Sequence, residues 1–360
     1  MPKTAPSAAT SFGTGDTAIR RIDPFDGTEW AELTNRFGAS VFHSSEWGRV
    51  LHNTYGYRPV YFVLGGSKVS VGAILPVMEV DSWLTGRRGI ALPFTDECDG
   101  CGDAGARMRS MFDAVVSYGR ERKWRYFECR GTRTLAPDAP PSLSFHGHRL
   151  DLRRSEAELL RGIESSGRRA IRKAQESDLS IEISGEEEAV RAFYGLLGLT
   201  RRRHGLPPQP WRFFREIQRQ LLAKGRGCVV LARRQGRAIA GAVYLHSGRT
   251  VLYKFGASDE TQQQYRGNNL VMWEAIRWHA ARGFESLDFG RTSLGNSGLR
   301  AFKQAWGTQE YPINYCKFDF RANAFVADSD RSTGWHAAIF GRLPLSVSRL
   351  VGAVLYKHIA

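Results

Sequence analysis

The feature that most constrains the fold of this chain is an internal repeat, because one order of strands and helices is written twice. The clearer copy lies in the second half, where three strand-like runs are followed by an amphipathic helix and another strand. In order, these are CVVLARR (228–234), AIAGAVYLH (238–246), TVLYKFGAS (250–258), a helix from about 269 to 281, and SLDFG (286–290). The short turns QGR and SGR between the first three runs predict an antiparallel meander.

A short helix and a closing strand extend this second copy. GLRAFKQAW predicts a helix that begins near Ser297, as its N-cap, and ends before Gly307. The run YPINYCKFDF (311–320) predicts the last strand.

The first half repeats the order with weaker patterns. Its predicted elements are the hairpin strands YRPVYFVLG (57–65) and SVGAILPVME (70–79), a strand near GIALPF (89–94), a helix from about 106 to 122, and the strand WRYFECR (124–130). Helix pairs around 28–54 and 186–224 precede the two copies. The sequence therefore predicts an α/β fold, with α+β mixed sheets, in two tandem domains.

The two copies set the expected domain boundaries. Residues 1–17 are rich in Ser, Thr, Ala and Pro and are expected to be a disordered leader. The first domain is expected at 18–150 and the second at 151–325. Residues 326–360 predict an amphipathic helical extension, which either packs on the second domain, as we favour, or lies on an anionic membrane.

Composition narrows the functional class. Lys and Arg outnumber Asp and Glu by 51 to 36. This balance suits a phosphate-bearing partner such as nucleic acid, an anionic membrane or a lipid-pyrophosphate substrate, although an Arg-rich soluble protein shows it equally. The chain has no uninterrupted run of about 18 apolar residues and no apolar secretory segment at its N-terminus. We therefore expect a cytoplasmic protein.

The five cysteines are scattered along the chain, so no disulfide framework is expected. Cys98 and Cys101 have the spacing of metal ligands, but no second pair completes a structural zinc site. We expect an ordinary loop here, rather than a metal or redox site.

The stretch DFGRTSLGNSGLRAFKQAWG (288–307) opens with a kinase-like Asp-Phe-Gly. The nearest catalytic-loop string, HRLDL at 148–152, has an extra residue and no Asn in register, which excludes a kinase. The glycine-rich string GTGDTA at 13–18 has no strand before it and predicts no dinucleotide site.

Four segments of the second half resemble the FemAB family, peptidyltransferases that add amino acids to cell-wall precursors, and its exopolysaccharide-associated relatives. They are RRAIRKAQESDLSIEI (168–183), TRRRHGLPPQP (200–210), LYKFGAS (252–258) and the stretch 288–307 with its F-K-x-x-W-G helix. The doubled order of parts is similar to that of tandem GNAT acyltransferases. The first copy resembles the family through FHSSEWGRVL, GAILPVME and LPF.

This resemblance implies two tandem GNAT-like acyltransferase domains that form an amide without a bound cofactor or metal. The donor, aminoacyl-tRNA or acyl-CoA, is expected as a co-substrate. CoA-binding enzymes of the superfamily carry a Q/R-x-x-G-x-G/A loop before the helix that follows their third strand. QYRGNNL (264–270) keeps one glycine of that loop, which favours aminoacyl-tRNA. The acidic loop TDECDGC (95–101) departs from the family pattern.

Acyl transfer to an amine needs a neutral amine, a stabilised oxyanion and reactants held together, and positioning alone supplies about 7–11 kcal/mol. The resemblance implies that Lys303, the lysine of the F-K motif, meets a donor phosphate and the oxyanion; the alternative is a solvated lysine. Asp288 either accepts the amine proton or orients Arg291, and the alternative is a plain salt bridge with Arg291. Arg291 itself can hold a phosphate.

His204 follows a helix and either deprotonates the amine or caps that helix, and Arg203 beside it joins the binding candidates. Tyr253 and Lys254 must point to opposite faces of their strand, so at most one of them reaches the cleft. We prefer Lys254.

The turn before the F-K helix is a candidate anion site, since a helix N-terminus offers free N–H groups. Ser293 and Asn296 are the candidates there, and the alternative is a plain loop with an N-cap.

A basic helix carries two cationic faces, with Arg168 and Arg172 on one and Arg169 and Lys173 on the other. We place Arg168 and Arg172 among the binding residues, where they would track the phosphates of tRNA or of a lipid carrier. The alternative is a solvated basic helix.

Together these patterns predict a FemAB-like aminoacyl- or acyltransferase that forms an amide on a cell-envelope or exopolysaccharide precursor, in a cleft between the domains. The expected partners are a phosphate-bearing or lipid-linked saccharide, aminoacyl-tRNA, and the inner face of the cytoplasmic membrane. Two alternatives stay open: a CoA-dependent N-acetyltransferase acting on an amino sugar or polysaccharide intermediate, and a non-catalytic scaffold of a polysaccharide machine. The sequence sets no oligomeric state.

Overall fold

The computed structural model describes residues 18–65, 71–102, 106–131, 134–328 and 343–359. The predicted leader at 1–17, the hairpin tip at 66–68 and residues 329–342 of the C-terminal extension lie outside these ranges.

The first half of the chain folds into a strand meander with helices before and after it. Its elements are β1 (Ile19–Ile22), α1 (Glu29–Arg36), a short 3-10 helix (Val41–His43), α2 (Ser45–Tyr55), β2 (Arg58–Leu64), β3 (Ala73–Val80), β4 (Arg88–Ile90), β5 (Cys101–Gly102), α3 (Ala106–Glu121) and β6 (Tyr126–Cys129). Helix α2 has local signals at both ends. The Ser44 side chain accepts the N–H of Trp47, and Gly56 takes the left-handed conformation after the last turn.

The second half repeats the meander and adds elements at both ends. They are β7 (Leu143–Asp151), α4 (Glu156–Gly162), α5 (Ser165–Gln175), β8 (Ser180–Ser184), α6 (Glu187–Arg203), α7 (Trp211–Gln220), two short 3-10 helices (Leu222–Lys224 and Glu260–Tyr265), β9 (Gly227–Arg234), β10 (Arg237–Ser247), β11 (Thr250–Ser258), α8 (Gly267–Ala280), β12 (Ser286–Asp288), β13 (Thr292–Ser293), α9 (Ser297–Gln304), β14 (Gln309–Asp319), β15 (Ala324–Phe325) and α10 (Leu345–Leu355).

One continuous mixed sheet runs through both halves, in the order β1-β2-β3-β4-β6-β14-β7-β12-β11-β10-β9-β8. Strand β14 joins the halves: residues 309–315 pair with β7, and residues 316–319 pair with β6. Strand β7 in turn pairs with β12 of the second half. The boundary expected at 150/151 thus falls at the end of a strand that belongs to the second sheet, and the domain limits stay a prediction.

Strand β9 shows why this part of the chain is a continuous apolar run. Alternate side chains enter two different cores, with Val229 and Leu231 on one face and Val230 and Ala232 on the other. Both faces are covered, so the usual alternation of polar and apolar residues is absent.

The core on the first of these faces is shared by the two halves. The ring of Trp47 on α2 lies edge-on to Phe213 on α7, with ring centroids 5.9 Å apart. Beside them, Asn53 Nδ2 donates to Glu216 Oε2 at 2.8 Å. The halves therefore meet through buried side chains, and a cleft between them has fixed walls.

Helix α10 packs on the second half through its small residues. Ser348 and Gly352 are buried, and a Cβ on Gly352 would come 2.1 Å from the carbonyl oxygen of Pro208. Its opposite face, with Val347, Leu350 and Val354, is exposed. Among the described residues, no helix is long and apolar enough to cross a membrane.

The predicted mixed α/β class is confirmed, and two local predictions are corrected. Helix α9 is capped by Asn296, whose Oδ1 accepts the N–H of Leu299 at 3.0 Å, and Ser297 is its first helical residue. The strand predicted at 286–290 ends at Asp288, because the chain turns at Gly290 and pairs again with β7 as β13.

Candidate active site

A cleft of about 490 Å³ lies along the seam between the two halves. The segment before α2 and the loop before β5 form one wall, and β10, β11, β12 and β14 form the other. Its lining includes Ser40, Val41, Phe42, His43, Asp96, Glu97, Asp99, Cys101, Arg149, Leu245, Ser247, Leu252, Asp288, Tyr311 and Ile313. The expected position of a site between the domains is therefore matched by a cavity.

Asp288 lines this cleft at the end of β12. Its Oδ2 accepts from the hydroxyl of Tyr311 at 2.6 Å and from Arg149 Nη2 at 3.2 Å, and its Oδ1 accepts the N–H of Gly290 at 2.7 Å. The salt bridge predicted between Asp288 and Arg291 is thus corrected: Arg149 is the ionic partner. The sheet register explains this pairing, because Arg149 on β7 lies directly opposite Asp288.

A glycine on β7 lets the tyrosine reach the carboxylate. Tyr311 on β14 lies opposite Gly147, and a Cβ on Gly147 would come 2.4 Å from the Tyr311 ring. The ring therefore lies flat over β7 and directs its hydroxyl to Asp288. Burial, followed by the nearby charge of Asp288, raises the pKa of Tyr311, so its hydroxyl stays protonated and donates.

Lys254 and Asp96 form an ion pair between the two halves. The parallel pairing of β11 with β12 ends at Leu252 and Asp288, and Lys254 follows where the register of β11 against β10 shifts by one residue. Its Nζ donates to Asp96 Oδ2 at 2.8 Å and lies 4.8 Å from the ring centroid of Phe42. As strand alternation predicts, the ring of Tyr253 points the other way, toward Tyr244 and Phe289 in the second core.

Burial lowers the pKa of Lys254, and the carboxylate of Asp96 offsets part of that effect. Burial alone would raise the pKa of Asp96, but the nearby cations, Lys254 first and then Arg291 and Lys303, together outweigh it, so the pKa of Asp96 lies below its usual value. The pair fixes the acidic loop against β11.

Lys303 is the buried residue of α9 and clamps the loop that follows β12. Its Nζ donates to the carbonyl oxygens of Gly290 at 2.8 Å and Arg291 at 3.0 Å. Burial lowers its pKa to about 8, against the opposing effect of Asp96 and Asp288. It is not a solvated lysine, and its donors are occupied by the loop. The catalytic role stays a prediction; the geometry describes a positioning residue.

The side chain of Arg291 points from this loop toward the seam between the two halves, and not toward Asp288. Its guanidinium lies 4.4 Å from the ring centroid of Phe145, and Nη1 donates to the hydroxyl of Tyr315 at 3.0 Å. The Tyr315 hydroxyl in turn donates to the carbonyl oxygen of Asp96 at 2.7 Å. A chain of contacts thus joins β14, the loop and the first half.

The thiol of Cys101 and the imidazole of His43 also line the cleft, 3.3 Å apart. His43 Nε2 lies 2.8 Å from the carbonyl oxygen of Asp99, which can only accept, so Nε2 carries the proton. Nδ1 is then the acceptor, and it faces the Ser40 hydroxyl at 2.9 Å. His43 therefore cannot take a proton from Cys101, and burial raises the pKa of that thiol to about 12. The pair is not an activated nucleophile.

Two grooves, one with a cationic wall and one mostly polar, share Arg266 at the start of α8, away from the cleft lining. One is lined by Arg169, Lys173, Arg266, Asn269 and residues of α9, and has a volume of about 460 Å³. The other is lined by Ser258, Asp259, Gln262, Gln263 and residues 266–269. Arg266 caps α8 with a left-handed φ of 55°. The first-turn N–H groups of such a helix are available to an anion.

The structure does not bring all predicted residues to the cleft. His204 is the exposed C-cap of α6, next to Arg203, and burial and Arg203 lower its pKa. Arg168 donates to the carbonyl oxygens of Arg161 and Ile163, and Arg172 is exposed. Ser293 is the half-buried last residue of β13, and Asn296 is the exposed N-cap of α9. His204 is therefore a helix cap, as the alternative predicted. The groove is lined by the opposite face of α5, which carries Arg169 and Lys173.

Three residues of the cleft were missed by sequence reasoning: Asp96, Arg149 and Tyr311. Asp96 carried a signal, since the acidic loop 95–101 stood out as a departure from the family pattern. Arg149 and Tyr311 reach Asp288 only through the register of β7 with β12 and β14, which no local pattern encodes.

A family model described as the acetyltransferase (GNAT) domain matches residues 164–304. The lipid II:glycine glycyltransferase of Staphylococcus haemolyticus (strain JCSC1435) is 28% identical over 100 residues, which is 26% of this chain and 24% of that relative. The match thus spans about a quarter of the curated relative's length.

Two solved structures share most of the fold. The crystal structure of FemX superposes with a TM-score of 0.61 at 13% identity, covering 82% of this chain and 96% of FemX. A tandem GNAT protein from the clavulanic acid biosynthesis pathway, solved without AcCoA, gives a TM-score of 0.52 at 11% identity, covering 84% of this chain and 98% of that chain.

These findings define the class of protein: residues 164–304 are a GNAT domain, and the chain as a whole has the tandem GNAT fold. Within that class, the likeness to FemX in fold and to the glycyltransferase in sequence confirms the resemblance that the motifs predicted. The chain is thus similar to FemAB-like acyltransferases: in fold to FemX, and in sequence over 100 residues to the glycyltransferase.

Proposed function

We propose that this protein transfers an aminoacyl group from aminoacyl-tRNA to an amine of a lipid-linked cell-envelope precursor. The observation that carries the proposal is a separation of charge. Carboxylates of Asp96, Glu97, Asp99 and Asp288 line the cleft, whereas Arg169, Lys173 and Arg266 line the grooves at α8. An acidic cleft suits an acceptor that arrives as an ammonium ion, and basic grooves suit the phosphates of a donor.

The reaction would form one amide bond and break one ester bond. The acceptor ammonium must first lose a proton, its nitrogen then attacks the aminoacyl carbonyl, and the tRNA hydroxyl leaves with a proton. Asp288 is the proposed group that holds the ammonium and receives its proton, because it faces the cleft with its carboxylate fixed by Tyr311 and Arg149. Positioning would supply much of the rate enhancement.

Two features support a lipid-linked acceptor. The glycyltransferase relative acts, by its name, on lipid II. The protein also has an exposed apolar patch, formed by Trp83, Leu84, Val347, Leu350 and Val354; Trp83 is 84% exposed and its ring lies 5.5 Å from that of His358, just after α10. With the net charge of +15, this patch is proposed to rest on an anionic membrane surface. An exopolysaccharide intermediate is the second proposed acceptor class.

The first alternative is a CoA-dependent N-acetyltransferase. The groove at the start of α8 favours this alternative to the extent that Gly267 and Asn268 can offer N–H groups to a pyrophosphate, since the Asn269 N–H already donates to the carbonyl oxygen of Arg266. The second alternative, a non-catalytic scaffold, requires the charged groups of the cleft to be dispensable.

The test compares donors and acceptors directly. Purified protein is given charged tRNA or acetyl-CoA with a lipid II-type acceptor, and amide formation is followed by mass spectrometry. Asp288→Asn is expected to lower kcat/KM about 100-fold, since general acid–base groups typically contribute 10²–10⁴-fold. Asp151→Asn is the matched control, because that carboxylate pairs with Arg153 at the surface.

Each outcome has a clear meaning. Product from charged tRNA that is lost in Asp288→Asn and kept in Asp151→Asn supports the proposal. Turnover with acetyl-CoA alone replaces it with the acetyltransferase. The scaffold alternative is supported if neither donor gives turnover and if a strain carrying Asp288→Asn has an unchanged cell-envelope composition.

For the membrane surface, Leu350→Glu is expected to abolish co-sedimentation with anionic vesicles, and Leu299→Glu on α9 is expected to retain it. Equal binding by both variants would contradict contact through the apolar patch.

A further inference from the structure

Three potential metal ligands converge in the second core, on the face of the sheet that α8 covers. Cys228 lies on β9, His246 on β10 and His279 on α8, and all three are buried. Their donor atoms, Cys228 Sγ and one ring nitrogen of each histidine, lie within 4.8 Å of one another. Nothing in the proposed acyl transfer uses them.

The local structure explains why they meet. Cys228 is paired with Tyr244 in the antiparallel ladder, and His246 follows two residues later on the same face. His279 comes from the last turn of α8, which packs across this face. Neighbouring strands and a crossing helix thus supply one ligand each.

The hydrogen bonds of the two histidines direct their Nε2 atoms toward each other. His279 Nδ1 lies 2.7 Å from the carbonyl oxygen of Ala275, which only accepts, so this nitrogen donates and His279 Nε2 carries a lone pair. His246 Nδ1 makes a weak contact of 3.4 Å with the carbonyl oxygen of Gly225, and its Nε2 lies 2.9 Å from His279 Nε2.

Without an ion, His246 can carry its proton on Nε2 and donate it to His279 Nε2. With the proton of His246 on Nδ1, both Nε2 lone pairs face the gap between the rings and are available to one metal ion. Neutral imidazole is the form that binds metal ions.

We propose that Cys228, His246 and His279 form a site for one zinc-like transition-metal ion, bound through Sγ and the two Nε2 atoms. Thiolate and imidazole ligands together suit zinc among the common biological metals. The Nδ1–H···O=C contacts are the outer-shell bonds that orient metal-binding histidines.

The distances are close to what such an ion requires. A tetrahedral ion with Zn–N of about 2.0 Å and Zn–S of about 2.3 Å sets its ligand atoms roughly 3.3–3.6 Å apart. The observed separations are 2.9 Å between the nitrogens and 4.0 Å from Cys228 Sγ to His279 Nε2, and all three donor atoms lie within 4.8 Å of one another. The Cys228 thiol would therefore move toward the histidines by up to about 1 Å when the ion binds. On binding, the Cys228 thiol releases one proton, and the fourth position is open to water or another small ligand.

The ion would tie the end of α8 to β9 and β10. Helix α8 begins at the groove assigned to the donor, so the site would hold that helix in register while lying apart from the reacting groups. The test therefore does not depend on acyl transfer.

The experiment uses tag-free, full-length protein. After treatment with a chelator, zinc is added back, and metal content and the melting temperature Tm are measured. We expect one zinc ion per chain and a rise in Tm of about 5 °C or more. Cobalt(II) in place of zinc should give an intense thiolate-to-cobalt charge-transfer band.

Matched variants locate the site. Cys228→Ser should lose the cobalt band, and His279→Gln should lose stoichiometric binding, whereas Cys316→Ser on β14 should keep both. Zinc binding is first measured on the wild-type protein. The test therefore remains valid even if Cys228→Ser folds poorly. Wild-type protein that binds no stoichiometric zinc and shows no cobalt band would overturn the proposal, as would equal binding by Cys228→Ser.

Discussion

Gly290 sits where the backbone must turn close to a carboxylate. Its φ is +67°, and a Cβ there would come 3.2–3.4 Å from the carboxyl group of Asp96. Glycine is the residue that accepts both constraints, and Asp96 keeps its contact with Lys254 as a result.

We predict that Gly290→Ala destabilises the protein by about 1–3 kcal/mol, through left-handed strain and displacement of Asp96. Urea unfolding measures the change. Gly295→Ala, in the same turn region, has open space around its Cβ and is expected to change the free energy of unfolding by less than about 0.5 kcal/mol. Equal losses in both variants would contradict this account.

Lys303 should give a pH dependence of stability with a defined sign. Its pKa of about 8 in the folded protein lies below the value of about 10.4 in an unfolded chain, so the unfolded state binds more protons between these values. The free energy of unfolding from this group therefore rises with pH across that window, by up to about 3 kcal/mol. Below the window the cost of burying the charge is fully present.

Lys303→Met is expected to remove this rise. The measurement is the difference in unfolding free energy between wild type and variant at about pH 7 and about pH 10, which cancels the titration of other groups. A difference that does not change between the two pH values would show that Lys303 is charged throughout.

At the residue scale, sequence reasoning named Asp288 because an acid ends an apolar strand, Lys254 from strand alternation, and Lys303 because it matches the lysine of the F-K motif. It could not find their partners. Arg149 and Asp96 contact them across pairings between distant segments, which depend on the assembled sheet.

Helix α5 presents its two basic faces to different surroundings. Arg169 and Lys173 line the groove with Arg266, whereas Arg168 holds the end of α4 and Arg172 is exposed. The sequence placed both pairs correctly on separate faces, since that follows from helical spacing. From the sequence we named Arg168 and Arg172 as the phosphate-binding face, whereas Arg169 and Lys173 line the groove. Tertiary packing decides which face contacts α8 and α9.

We predict that Lys173→Ala weakens the binding of charged tRNA several-fold and lowers its salt dependence, because one phosphate contact is lost. Arg172→Ala is the control on the opposite face. Binding is measured by filter retention at two or more salt concentrations, and an equal effect of the two variants would remove the groove from the donor site.

The strand and helix patterns predicted most elements well where periodicity was long, as in β9, β10 and α8. These patterns failed between residues 286 and 293, where one strand was predicted and two short strands are observed. β12 and β13 are separated by the turn at Gly290, and only pairing with β7 shows where the first ends and the second begins.

At the scale of the whole molecule, strand β14 makes the two halves one cooperative unit. Its first part completes the second sheet and its last part completes the first, and the halves share a buried core. The repeat in the sequence predicted two units, but not that each depends on the same strand.

We therefore predict a single unfolding transition, with coincident curves from circular dichroism and tryptophan fluorescence. A fragment that ends before β14 is expected to expose the edge of β6 and to aggregate or remain unfolded. Two separate transitions, or a well-folded fragment 18–131, would show that the halves are independent.

The same strand has a consequence for how the protein is made. The partner of β6 emerges from the ribosome roughly 190 residues after β6 itself, which takes about 10–40 s at 5–20 residues per second. During that time the nascent first half has an open sheet edge that other chains can bind. Expression yield should then depend on the speed of translation between β6 and β14, and on chaperones that cover strands until synthesis reaches residue 319.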